Sequence, residues 1–122
     1  MMQLSDGRIE VRFGTASDAG PDEALLIEGA LLIEGDAAAD RAAVARFTLP
    51  VRVATHSLGC ACCVPRGSVA EALGRLFLAR ARGEVAWFRS VVAVMRSEAG
   101  ANAVRSALVG DVVTVARFRG YV

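Results

Sequence analysis

Lysine is absent from the chain: all 14 basic residues between Met1 and Val122 are arginine. That excludes a Schiff-base lysine, a phosphate-loop lysine and a kinase-type lysine, each of which needs a primary ammonium at one fixed place. His56 is the single histidine and Tyr121 the single tyrosine, so a Ser-His-Asp arrangement or an ordinary acid–base pair has few candidate members. Charge of one sign is lacking as well. With 14 basic against 13 acidic residues there is no long-range field to steer a polyanion, and neither nucleic acid nor a membrane surface is an expected partner. No apolar run approaches the roughly 18 to 20 residues that span a bilayer. Met1-Met-Gln-Leu-Ser-Asp-Gly7 has neither the basic nor the apolar region of a secretory signal. A soluble cytoplasmic protein is the expectation.

Hydrophobic residues make up 54% of the chain and charged residues 22%, the balance of a folded domain, and 122 residues suffice for one core. We therefore expect a single domain over residues 1–122. Arg8-Ile-Glu-Val-Arg-Phe13 alternates polar and apolar side chains like a half-buried strand, and a turn-rich stretch follows. Next comes a short tandem repeat, Ala24-Leu-Leu-Ile-Glu-Gly29 and Ala30-Leu-Leu-Ile-Glu-Gly35. It is far shorter than a solenoid period, and it reads as apolar strands or a short helix ending at glycines. Residues 36–47 are alanine-rich, with Ala43, Val44 and Phe47 at near-helical spacing before Pro50, and predict a helix.

Leu49-Pro-Val-Arg-Val-Ala-Thr55 predicts a strand, and Ser68-Val-Ala-Glu71 is a capping-box sequence opening an amphipathic helix that Gly83 ends. Residues 85–95 are nearly all apolar, as in a strand covered on both faces. Residues 98–108 predict a further helix, and 111–116 a further strand. The alternation from Leu49 onward argues for right-handed crossovers and an α/β fold: three layers around a largely parallel sheet, with an N-terminal edge strand or hairpin.

All three cysteines fall within Gly59-Cys-Ala-Cys-Cys-Val-Pro-Arg66. Close neighbours make a strained disulfide and leave one thiol over, so reduced thiols fit better. Thiolates are soft donors, and this spacing lets Cys60, Cys62 and Cys63 converge on one ion. Zinc normally takes four donors, and the fourth would be His56 on the same loop, a water or a group from a second subunit. The opening of the next helix, with Arg66 nearby, favours thiolate over thiol. Two other readings stay open at this point: thiol redox chemistry, and burial of the cysteines as small hydrophobes.

Gly59-Cys-Ala-Cys-Cys-Val-Pro-Arg-Gly67 resembles the GCxCC segment of the CobW-type P-loop GTPases, which act as metal-insertion chaperones. The helix that follows, then Trp87-Phe-Arg-Ser-Val-Val-Ala-Val94, a helix and Gly110-Asp-Val-Val-Thr-Val115 are similar to that family's successive elements. The resemblance implies a P-loop NTPase-like fold, truncated or degenerate, with Cys60, Cys62 and Cys63 as metal-binding residues. It breaks at the nucleotide machinery. Leu49-Pro-Val-Arg-Val-Ala-Thr-His-Ser-Leu-Gly59 runs into the cysteines where Gly-Lys-Thr would stand, and Asn-Lys-x-Asp cannot occur without lysine. GTP hydrolysis is not expected on that ground, and neither is a nucleotide cofactor. The expectation is a non-hydrolytic CobW-like protein that binds zinc or another soft divalent metal for storage or delivery. Its partners would be a second copy or a metal-receiving protein. The alternatives are a thiol redox protein and a degenerate GTPase-like interaction module.

Overall fold

Alternation of apolar with charged residues puts Ile9 and Val11 on one side of an extended segment, which forms β1 (Ile9–Phe13). The computed structural model describes residues 7–29, 42–49 and 67–120. Within them follow β2 (Glu23–Glu28), β3 (Ala43–Phe47), α1 (Ser68–Ala81), β4 (Ser90–Val94), α2 (Glu98–Gly110), α3 (Val112–Arg117) and β5 (Phe118–Gly120). The strands make one sheet in the order β3-β2-β4-β1-β5, and every pairing is parallel. β4 lies at the centre with all five residues buried, as its apolar run requires.

Register sorts the side chains between two faces. Val11, Val91, Ala24 and Ala43 are aligned on one; Arg12, Val92, Leu25 and Val44 on the other. The first face carries the larger core, where Val69, Leu73 and Leu76 of α1 and Val104 of α2 pack on Ile9, Leu26 and Phe118. On the second face Leu25, Ile27, Val92 and Val94 pack with Ala16 and Ala19 of the β1–β2 connection.

That connection, residues 14–22, joins two parallel strands with only a 3-10 turn, Ala16–Asp18, in place of a crossover helix. Charge pins it down. Arg12 binds the Glu23 carboxylate through both terminal nitrogens, with Nη2 to Oε1 at 3.0 Å, and Nη2 also donates to the Asp18 carbonyl at 3.1 Å. Glu23 further accepts from the Ser90 hydroxyl, and from the Gly20 N–H at 2.7 Å. The Arg12 hydrogen bond is the main cause that lowers the Glu23 pKa to about 2, against the opposing effect of burial.

Four expectations are corrected. β1 is not an edge strand: it lies between β4 and β5, because its polar face finds partners, Arg12 with Glu23 and Glu10 with Arg119 at 3.7 Å. Residues 43–47 form a strand and not the end of a helix. Ala43 and Phe47, four apart, share a face in either geometry, and pairing with β2 decides between them. Residues 112–117 are helical and not a strand, since Asp111 caps them by accepting from the Thr114 N–H at 3.0 Å and its hydroxyl at 2.8 Å. Finally, Ser68 is not a cap. The N-cap of α1 is Gly67, which has no side-chain acceptor. The strand predicted at 49–55 (apart from Leu49), the second half of the tandem repeat and residues 36–41 lie outside the described residues.

Candidate functional site

In open parallel sheets, ligands bind beyond the carboxyl ends of the strands, where loops and helix starts converge. Here α2 lies across those ends. The last residue of β2, Glu28, receives hydrogen bonds from the Arg96 N–H at 2.7 Å, the Ser97 N–H at 3.0 Å and the Ser97 hydroxyl at 2.6 Å. Ser97 in turn caps α2, accepting from the Gly100 N–H at 3.0 Å. The last residue of β1, Phe13, faces Arg105, whose guanidinium carbon is 5.1 Å from the ring centroid. Gly120, the last of β5, sits under Leu108. Burial raises the Glu28 pKa, but the Ser97 hydroxyl, the two N–H donors and the Arg96 charge together hold it below the usual carboxylate range.

Beside α2, its second half and the opening of α1 enclose a cleft of about 440 Å³. Its walls are small: Ala70, Ala103 and Ala107, with Ser68, Ser106 and Asp111 as its polar residues. Leu49 and Gly67 also line it. These two residues bound the stretch 50–66, which carries Cys60, Cys62, Cys63 and His56 and lies outside the described residues. α1 points its amino end at the cleft, so the positive pole of a 14-residue helix is on this side, with no side-chain cap at Gly67.

A second concavity, about 670 Å³, opens beside β1 and is lined by Arg12, Phe13, Arg105, Leu108 and Val109. The loop leaving β1 builds no phosphate cradle. Its Thr15 N–H is held by the Asp18 carboxylate at 2.7 Å and its Gly20 N–H by Glu23, and a strand follows it where a helix amino end would be needed.

The described residues contain no group of three His, Cys, Asp or Glu side chains that could hold a metal ion, and none of their helices is long and apolar enough to cross a membrane. No protein-family model matches the chain, and neither a curated protein nor a solved structure matches it.

Sequence reasoning missed Ser106 and Asp111 as cleft residues, and Glu28 as the anchor of α2. Asp111-x-x-Thr114 is legible afterwards as a cap; nothing local to Glu28 announces that it meets Ser97, 69 positions away.

Proposed function

We propose that the protein is a non-hydrolytic, CobW-like metal-binding protein that takes zinc or a similar soft ion through Cys60, Cys62 and Cys63, with His56 as the fourth donor, for storage or for delivery to a partner. One observation carries this reading: all of the chain's thiols fall within four consecutive positions, in a stretch whose two flanking residues, Leu49 and Gly67, line the same cleft at the carboxyl side of the sheet. Three thiolates and an imidazole are a donor set that zinc takes tetrahedrally, and a set with one weak or exchangeable member suits transfer better than permanent ligation. The positive end of α1 begins five residues after Cys63 and favours the deprotonated thiols that such an ion needs. The P-loop NTPase-like identity of the fold belongs to the same proposal: the parallel α/β sheet is compatible with it, and the GCxCC resemblance is its support.

Titration of the reduced protein with Co(II) tests this. Thiolate-to-cobalt charge-transfer absorption that saturates at one ion per chain, and is lost in Cys60→Ser, Cys62→Ser and Cys63→Ser, is the expected result. Absence of those bands, or binding that survives the substitutions, ends the metal reading. Metal-independent, rapid alkylation of a single cysteine at neutral pH would instead favour thiol redox chemistry.

A further inference from the structure

Trp87, the chain's only tryptophan, is 66% exposed in the connection between α1 and β4. An indole this open is unusual for a side chain that buries so much apolar area when covered. It is not alone. The guanidinium of Arg80, on the last turn of α1, lies 3.5 Å from the Trp87 ring centroid and 5.3 Å from that of Phe88. One turn back on α1, Phe77 carries the guanidinium of Arg117 at 4.3 Å and is itself braced edge-on by Phe118 at 6.3 Å. Two arginine–aromatic stacks thus stand side by side at the amino edge of the sheet, opposite the cleft.

Neither cation has an acid partner among the described residues. Arg80 and Arg117 make no ion pair there, and the buried Arg80 Nε finds no acceptor among the same residues. The neighbouring carboxylates are already engaged: Asp22 binds Arg89 at 2.6 Å, and Glu84 faces Arg82 at 3.9 Å. A guanidinium laid flat on a ring keeps its terminal N–H fork at the rim, where it matches a carboxylate, and the ring removes water from one side of it. Stacked arginine beside exposed tryptophan is the composition of an interface anchor.

We infer that this amino-edge surface, built from Arg80, Trp87 and Arg117, docks an acidic segment of a partner protein. The scale of the patch favours a short peptide segment over nucleic acid: two unpaired guanidiniums offer two phosphate contacts, against about six to ten in a typical duplex-binding protein. The net charge of +1 supplies no wider field. None of its residues belongs to the cysteine segment, so the inference stands whether or not the thiols bind metal.

Trp87 fluorescence reads this surface directly. An octaglutamate peptide, which has no tryptophan, is titrated into the protein at low salt. The expected result is a saturable change in emission, with affinity about tenfold weaker in Arg80→Gln and severalfold weaker in Arg117→Gln. Arg80→Lys, which keeps the charge and loses the fork, falls between, and Arg105→Gln at the far end of the sheet leaves affinity unchanged. Circular dichroism checks each variant; if Arg80→Gln unfolds, Arg117→Gln carries the comparison. No saturable change, or equal affinity in the arginine variants, overturns the inference. So does tighter, Arg80-dependent binding of oligothymidylate or of phosphatidylserine vesicles.

Discussion

Glu23 and Glu28 open and close the same strand, both almost fully buried at 1% and 6% exposure, yet they are held in opposite ways. Glu23 is met by a cation. Arg12 pairs with it through both terminal nitrogens, and the pair clamps a connection that has no helix of its own to bury. Glu28 is met mainly by dipoles, two backbone N–H groups and a hydroxyl, all at the start of α2, with the Arg96 charge a lesser help. The difference teaches what each end of the sheet needs. At the amino end a helix-less crossover must be tied to the face it crosses, and a forked ion pair ties side chain to loop carbonyl. At the carboxyl end a helix must be aimed across the strands, and a carboxylate at its first turn does that by satisfying orphan donors.

The comparison breaks most visibly at Arg12. Arg12→Met leaves Glu23 buried without its counter-charge and should cost about 3 to 5 kcal/mol at neutral pH, read by urea unfolding. A loss under about 1 kcal/mol would mean that the dipoles around Glu23 suffice, as they do at Glu28.

Acid is the next lever. The Glu23 pKa is lower in the folded than in the unfolded chain, so its contribution is complete above the ordinary value of 4.5 and is lost as the pH falls towards about 2. The shift corresponds to about 3 kcal/mol. The urea midpoint should fall across that window, and less steeply in Glu23→Gln; equal slopes in the two proteins would remove Glu23 as the cause. Glu28, also lowered, adds a loss of the same sign.

The smallest effect sharpens the carboxyl end. A Cβ at Gly100 would land on the Glu28 carboxylate, so Gly100→Ala should cost about 2 kcal/mol and speed amide exchange in the first turn of α2. Unchanged exchange there would show that Glu28 does not hold the helix.

Much of the architecture was legible along the chain. The alternation in Ile9–Phe13, the apolar run that becomes β4, the helix after Gly67 and its end at Gly83, with φ +72°, follow from patterns spanning a few residues. The parallel sheet followed from the order of those elements. Misreadings arose where a local pattern serves two structures. Ala43 and Phe47 share a face at helical and at strand spacing, and the valines of 112–117 suggest a strand until Val112 proves 82% exposed and Asp111 caps the turn.

What the sequence determined by itself is chemical inventory: thiols gathered at Cys60, Cys62 and Cys63, a single imidazole at His56, and no lysine to serve a phosphate. Residue identity sets which reactions have the atoms they need, and no fold can supply a missing ammonium. Tertiary structure alone decided position. It put β1 inside the sheet, laid α2 across the strand ends and set Arg80 on Trp87 with no acid among the described residues to meet it. Those outcomes rest on contacts between residues far apart in the chain, such as Arg12 with Glu23 and Glu28 with Ser97, whose hydrogen bonds exist only once the backbone has brought them together.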